Sequence, residues 1–376
     1  MVYLFLKHKI YGLIFNLFRA FPVNDNKISL ITNKSASFES NLREIALELD
    51  KRNDTGKNYE YHYILKDQIS FKNFYNLATS RYIFLSDNFF ALAFMNFSSK
   101  QKIIQLWHAP GEFKNFGYDF ESGESQEVIR KFAAKTTNLF ISSKNFIESL
   151  SHRFALDESK TIPTGIPRTD YYFRCDDEFK ESLRANFDEK YPFARGKKIV
   201  LYAPTFRQNP VNNMIFDNFD IDAFNESLGD DYVLFIKLHP NYNRFADKEH
   251  FIDLESVENE HEFVNCTQYS NEQELLLLSD VLITDYSSVM VEYSILNKPI
   301  VLFAYDLDDY LSNERGFYFD YRENVPGRIA YDMDELIRVF KEKDFDLERL
   351  NDFAHYQFDY FDGNSSKRIL DIVLDD

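Results

Sequence analysis

The stretch SDVLITDYSSVMVEYSILNKPIVLFAYD, residues 279–306, reads as a strand, a tight polar turn, a helix and a second strand. Val281-Leu282-Ile283 is short, apolar and rich in β-branched side chains, as a strand buried on both faces should be, and Ile300-Val301-Leu302-Phe303 repeats that character after Pro299. One helix-length segment separates them, so the unit is βαβ. Its turn, Asp285-Tyr286-Ser287-Ser288, falls where the helix begins, at unpaired backbone N–H groups and the positive end of the helix dipole. Capping needs one hydroxyl and explains one serine; two hydroxyls at that place suit an anion such as phosphate.

The same rhythm runs outward in both directions. From Lys27 the chain alternates strand-like and helix-like segments through ISLIT, ESNLREIALELD, YEYHYIL, RYIFLSD, KIIQLWH, NLFISS and NFIESLSHRF. A turn-rich TIPTGIPRTDYYF follows, then charged helix-like sequence, and the pattern restarts at KKIVLYAPTFR and continues through YVLFIKLHP. The expected architecture is α/β, with two Rossmann-like, doubly wound parallel domains facing across a cleft. The boundaries read as an amphipathic helix at 1–22, an N-terminal domain at 23–170, a linker at 171–195, a C-terminal domain at 196–345 and a helical segment at 346–376. At 376 residues, two cores are the natural expectation.

Ligands of doubly wound sheets bind outside the carboxyl ends of the strands. Those ends deliver Pro204-Thr205-Phe206-Arg207, Lys237-Leu238-His239-Pro240 and Asp285-Tyr286-Ser287-Ser288 in the second half, and Trp107-His108-Ala109-Pro110-Gly111 in the first. A lone histidine or arginine there is ordinarily structural. Cations, imidazoles and hydroxyls at four equivalent topological positions point instead to a cleft that handles phosphate.

Composition narrows the chemistry. The formal net charge of −18 excludes a general nucleic-acid binder, which needs excess Lys and Arg, so any phosphate must be met locally. Cys175 and Cys266 match no zinc spacing or CxxC motif and allow no disulfide framework. The acidic runs Asp176-Asp177-Glu178 and Asp306-Leu307-Asp308-Asp309 read as solvated loop charge, and no metal or other cofactor is expected.

The N-terminus stands apart. MVYLFLKHKIYGLIFNLFRAF carries Lys7, Lys9 and Arg19 with no acidic residue; His8, Gly12, Asn16 and Arg19 form a narrow polar stripe, and Leu4, Phe5, Ile10, Ile14, Phe15, Leu17, Phe18 and Phe21 cover the rest. Lys7 and Lys9 interrupt it too early for a spanning helix, and Arg19-Ala20-Phe21-Pro22 offers no cleavage site for a signal peptide. Two readings stand: a helix lying in an anionic membrane interface, or one packed on the protein's own core.

Taken in order, LWHAPGEFKNFG, PTGIPRTD, LYAPTFR, IKLHP, TDYSSVMVEYSILNKPIVLFAYD, RGFYFDY followed by VPG, and DGNSSKRI resemble the CDP-glycerol glycerophosphotransferases of wall teichoic acid and capsule synthesis, which adopt the GT-B fold. The resemblance runs from about residue 105 to 370. It differs at Trp107-His108-Ala109-Pro110-Gly111, where many members read WHGTP, and at Glu292, where Asp is usual. It implies transfer of an alditol phosphate from CDP-glycerol, or CDP-ribitol, to a hydroxyl on a membrane-linked polyol-phosphate or saccharide acceptor, with release of CMP, by a peripheral enzyme on the cytoplasmic face of a bacterial membrane. The chain holds little beyond the family's catalytic core.

Phosphoryl transfer asks a protein to position reactants and stabilise charge. Ser287 and Ser288 would hold the pyrophosphate with Lys237, His239, Thr205 and Arg207, and the resemblance adds Trp107, Pro204 and Arg168 to the donor site. Glu292, one turn into the helix, would face a ribose or alditol hydroxyl. His108 would take the acceptor's proton, histidine being the side chain whose ordinary pKa lies nearest the working pH, and His239 would act beside it, in a direct in-line displacement. A nucleotide-sugar glycosyltransferase and an inactive envelope-synthesis scaffold are the alternatives. Retention of His108, His239 and both serines counts against a scaffold.

Overall fold

A computed structural model describes residues 2–33, 40–207, 215–239, 242–243, 251–313 and 316–374; the side chains of residues 2–5, 40 and 119 are also left aside. Leu4 and Phe5 of the N-terminal apolar face, Pro240 after His239 and Arg315 of the RGFYFDY motif therefore lie outside what is described. The chain divides into two compact units. The first comprises residues 1–112, 116–174 and 357–376, and the second residues 113–115 and 175–356.

The second unit is built on β7 (Lys198–Tyr202), β8 (Tyr232–Ile236), β9 (Val264–Asn265), β10 (Val281–Thr284), β11 (Ile300–Phe303) and β12 (Arg328–Ala330), ordered β12-β11-β10-β7-β8-β9 with every pair parallel. Read from the β9 edge, the unit's strands run 3-2-1-4-5-6, the doubly wound order. The chain leaves β7 toward one edge and, after β9, returns to lay β10 on the other side of β7. Ile283 pairs with Tyr202 on one side and Val301 on the other, and all four residues of β10 are buried, as the apolar run at 281–283 requires. The helix between β10 and β11 is only Val289–Ser294, shorter than the spacing suggested. Asn297, at φ +51, breaks the helical backbone before Lys298-Pro299 leads into β11.

The first unit carries β1 (Asn24–Thr32), β2 (Glu60–Leu65), β3 (Ser80–Leu85), β4 (Lys102–Gln105), β5 (Asn138–Ile141) and β6 (Thr161–Pro163), ordered β2-β1-β3-β4-β5-β6 and again parallel throughout. Here the winding reverses between β1 and β3. The expected α/β class with two Rossmann-like units is present.

The unit boundaries differ from those read in the sequence. Residues 171–195 are not an open linker: helix Asp177–Lys190 buries Leu183 and Phe187 in the second unit, where Phe187 stacks on Phe235 at 5.8 Å between ring centres. The final segment is shared. Helix Leu347–Gln357 runs along the second unit until Tyr356, whereas helix Ser365–Leu374 returns to the first and inserts Ile369, Leu370 and Val373 among Ile28, Leu30 and Leu42. Asp170 fixes that return by accepting from the backbone N–H groups of Ser365 and Ser366 at 2.9 and 2.8 Å.

Helix Val2–Phe18 packs on the first unit by one face. Phe15 is fully enclosed, 4.8 Å from the ring of Phe97, and Tyr11 meets Phe74 edge-on at 5.3 Å. Full burial of a Phe side chain is worth ~1.5–3 kcal/mol. Of the stripe read as polar, Gly12 and Asn16 face inward, whereas Arg19 is exposed. Gly12 lies against Phe94, whose carbonyl oxygen an added Cβ would meet at 2.4 Å, and Asn16 Oδ1 accepts from the Asn96 N–H at 3.1 Å. The apolar side chains that the helix exposes are Leu6, Ile10, Leu13 and Leu17, at 55, 45, 68 and 74% of their accessible surface. Among the described residues no helix is long and apolar enough to cross a membrane.

Candidate functional site

In the second unit the reversal of strand order lies between β7 and β10, so their carboxyl ends sit side by side while the chains that leave them diverge. The Ala203 N–H donates to the Ile283 carbonyl at 2.9 Å, and Thr284 Oγ1 donates to the Ala203 carbonyl at 2.7 Å. This seam presents Pro204, Thr205 and Arg207 beside Asp285, Ser287 and Ser288.

Arg207 is not placed as expected. Its side chain is almost wholly buried and points inward, with Nη2 2.9 Å from Asp285 Oδ2 and the guanidinium bidentate on Asp306 at 2.7 and 2.9 Å. It also donates to the Thr205 carbonyl and lies 4.9 and 5.2 Å from the ring centres of Tyr286 and Tyr310, which stack on each other at 3.8 Å. Burial alone would lower its pKa, but the two carboxylates outweigh burial and push it up, so the charge is permanent and paired within the protein. The same pair of carboxylates organises the loops. Asp285 Oδ1 accepts from the Thr205 N–H at 2.7 Å and the Tyr286 N–H at 2.6 Å; the Tyr286 hydroxyl donates to Asp306 at 2.9 Å, its own pKa driven far up by burial and then by the carboxylates. Arg207 is thus a brace under the seam rather than a cation on its surface.

The hydroxyls fare differently. Thr205 Oγ1 is buried without a hydrogen-bond partner, although Thr205's backbone N–H and carbonyl are both engaged. A buried hydroxyl left unpaired costs ~1–3 kcal/mol, so this one is poised for a ligand or water at the strand ends. Ser287 Oγ accepts from the Val289 N–H at 3.3 Å, which is the single cap the turn needs; Ser288 makes no such bond and both serines are half-exposed. With only six residues the helix behind them contributes little dipole, and the anion reading rests on the hydroxyls and neighbouring backbone. From β8, Lys237 is half-buried with Nζ 3.3 Å from the Tyr269 carbonyl, and the exposed His239 stacks on Phe206 at 4.8 Å. Pro204 is buried. Glu292 is buried too, so its carboxylate lies inside the helix packing rather than on an open face.

Trp107, His108 and Arg168 belong to the first unit. The chain turns sharply after β4: Trp107 adopts φ +57, unusual for a bulky residue and a mark of a constrained site. Several bonds hold it there. Gln105 Oε1 accepts from the Trp107 N–H at 2.9 Å, Asn41 Nδ2 donates to its carbonyl at 2.6 Å, and the indole stacks on Phe116 at 4.8 Å and 14°. Asn41 Oδ1 in turn accepts from the Arg168 N–H at 2.9 Å, and Arg168 Nη1 donates to the His108 carbonyl at 2.8 Å. Arg168, expected at the donor, therefore grips the backbone that carries His108. Trp107 likewise serves as packing for that turn. The His108 side chain is 55% exposed, and its Nδ1 lies 3.5 Å from Asp87 Oδ1.

Asp87 follows β3. Its Oδ2 receives Lys66 Nζ at 2.5 Å and Asn33 Nδ2 at 3.2 Å, while Oδ1 receives the Asn88 N–H at 2.7 Å. Burial raises the pKa of such a group, but the contacts with His108 and Lys66 and their charges prevail and hold Asp87 down at about 2, from an ordinary 3.8. A depressed carboxyl adds stability that is complete above its unfolded-state pKa and is lost as pH falls toward 2, so Asp87 is ionised throughout the working range.

The family described as CDP-Glycerol:Poly(glycerophosphate) glycerophosphotransferase matches residues 13–375 of this chain. The chain belongs to that family. A teichoic acid poly(ribitol-phosphate) polymerase of Bacillus spizizenii is 33% identical over 98% of this chain, which spans 59% of that relative's length. The teichoic acid ribitol-phosphate primase of the same organism is 30% identical over 97% of this chain and 95% of its own. Among solved structures, the wall teichoic acid polymerase TagF superposes with a TM-score of 0.77 over 96% of this chain and 93% of that one at 22% identity, a likeness of fold.

Within this glycerophosphotransferase-family chain, sequence reasoning missed Asp87, Lys66, Asn41, Asp285 and Asp306. Asp87 and Asp285 each lie directly past a strand's carboxyl end, in RYIFLSD and TDYSS, so the rule that found the serines reaches them also. Asn41 and Asp306 gave no such signal.

Proposed function

We propose that this chain transfers an alditol phosphate from a CDP-alditol, CDP-glycerol in the first reading, to a hydroxyl of a membrane-linked teichoic acid or capsule acceptor, releasing CMP by direct in-line displacement. The observation that carries the proposal is the family match over residues 13–375, laid on a sheet whose reversal point offers Thr205, Ser287 and Ser288. In this reading Ser287, Ser288 and Thr205 bind the donor pyrophosphate with Lys237 and His239, where charge builds as CMP departs. His108 removes the acceptor's proton. Arg207 and Arg168 act beneath these groups, on the seam and on the His108 backbone. A second reading, CDP-ribitol as donor, draws support from the ribitol-phosphate primase that matches nearly end to end. Offering CDP-glycerol, CDP-ribitol and UDP-sugars with a lipid-linked acceptor and measuring nucleotide release decides among them. CMP release with one CDP-alditol is expected; release of UDP alone would make the chain a glycosyltransferase, and no turnover with any donor a scaffold.

The acceptor's membrane supplies a role for the N-terminal helix. Leu6, Ile10, Leu13 and Leu17 form an exposed apolar stripe spaced 4-3-4, beside exposed Lys9 and Arg19 and with no carboxylate before Asp25. Such a stripe suits the acyl boundary, with the cations among anionic headgroups. The opposite face of the helix, with Tyr11 and Phe15, packs on the first unit's core. Replacing Leu13 and Leu17 together by Asp should end sedimentation with anionic vesicles, yet leave the thermal midpoint and CMP release to a short soluble acceptor unchanged. A wild-type chain that ignores such vesicles sinks this assignment.

A further inference from the structure

We infer that Asp87 is the positioning partner of His108: it holds the imidazole with its proton on Nδ1, so that Nε2 is the atom that accepts the acceptor's proton. This rests on the proposed role of His108 as base. The geometry is that of a carboxylate with one oxygen turned to the ring. Oδ1 lies 3.5 Å from His108 Nδ1, long for a finished hydrogen bond but within the slack that unliganded sites show before substrate tightens them. The carboxylate cannot rotate away, because Lys66, Asn33 and the Asn88 N–H hold it from three directions. Nor can the ring's backbone drift, since Arg168 grips the His108 carbonyl and Asn41 the Trp107 carbonyl.

The arrangement arises from topology. β3 and β4 are neighbours in register, Leu85 opposite Gln105, so the residues that follow them, Asp87 and His108, emerge side by side although distant in sequence. Lys66 comes from the end of β2. A neutral imidazole has one donor and one acceptor nitrogen, and a carboxylate can only accept. Asp87 facing Nδ1 therefore selects the Nδ1–H tautomer, leaves the Nε2 lone pair for the substrate, and stabilises the imidazolium formed when the hydroxyl's proton arrives there. The proton moves from the acceptor oxygen to Nε2, the oxygen's electron pair forms the new P–O bond, and the bond to the CMP oxygen breaks with its pair; Asp87 stays ionised throughout.

The test separates this inference from the activity assignment. In ¹⁵N-histidine spectra of the full chain, with the His108 signals assigned by their loss in His108→Ala, wild type should show protonated Nδ1 and unprotonated Nε2 at neutral pH. An Nε2–H tautomer in wild type overturns the proposal whatever the enzyme's substrate is. Asp87→Asn, whose amide can donate to Nδ1, should shift His108 toward the Nε2–H tautomer and lower kcat for CMP release by ~100-fold or more with the donor KM unchanged. Asp87→Glu, which keeps the carboxylate, should recover part of that rate. Unchanged kcat in a folded Asp87→Asn, or an unmoved tautomer, also overturns it. Should wild type release no CMP from any CDP-alditol, the activity assignment falls while the spectra still decide the Asp87–His108 pairing.

Discussion

His108→Ala should lose transfer by ~10²–10⁴-fold in kcat while binding CDP-alditol as tightly as wild type, because a general base acts on the proton moving in the transition state and not on the bound donor. The structure separates the two effects. His108 stands on the first unit, whereas Thr205, Ser287, Ser288 and Lys237 stand on the second. With its side chain 55% exposed, His108 also contributes little packing beyond its contact with the Trp107 ring at 4.1 Å, so the thermal midpoint should hardly move. Calorimetry with CDP-glycerol or CDP-ribitol reads the binding, and CMP release under donor saturation reads the rate. A variant that kept more than about a tenth of wild-type kcat would have lost no general base, and the proton would have to leave by another group.

Thr205, Ser287, Ser288, Lys237 and His108 were found because a buried parallel strand is recognisable from its apolar run, and the residue after such a run lies at a known end of the sheet. That rule fixes where a residue stands but not where its side chain points. Arg207 follows β7 as a phosphate-binding arginine would; only the folded chain brings Asp306, 99 residues on, against its guanidinium and turns it inward. Glu292 is hidden for a similar reason, since the six-residue helix that connects β10 to β11 buries most of its surface. Asp87 escaped notice because its partnership with His108 depends on β3 and β4 being neighbours, and strand order is a tertiary fact. The N-terminal helix shows the limit of periodicity: a stripe of His8, Gly12, Asn16 and Arg19 is evident in the sequence, but not that Gly12 is needed for close approach to Phe94 or that the apolar majority covers two different surfaces.

The inward turn of Arg207 yields the second large expected effect. Arg207→Leu should destabilise the second unit by ~3–5 kcal/mol, because it leaves the buried carboxylate of Asp285 and the half-buried one of Asp306 without their shared counter-charge. For a unit of this size that corresponds to a fall of roughly 6–20 °C in the thermal midpoint. Donor affinity should fall as well, since the brace ties the Thr205 carbonyl and Asp285, and through Asp285 the Thr205 and Tyr286 N–H groups, into one seam. Loss of the cation and loss of the packing can be told apart. Adding Asp285→Asn and Asp306→Asn to Arg207→Leu removes both orphaned charges while keeping side chains of similar shape, and should restore part of the midpoint. A phosphate-binding arginine at the surface predicts the opposite pattern: weaker donor binding with an unchanged midpoint, and no rescue from the two asparagines. That pattern would mean the guanidinium leaves Asp285 and Asp306 to meet the donor, and that the seam holds without it.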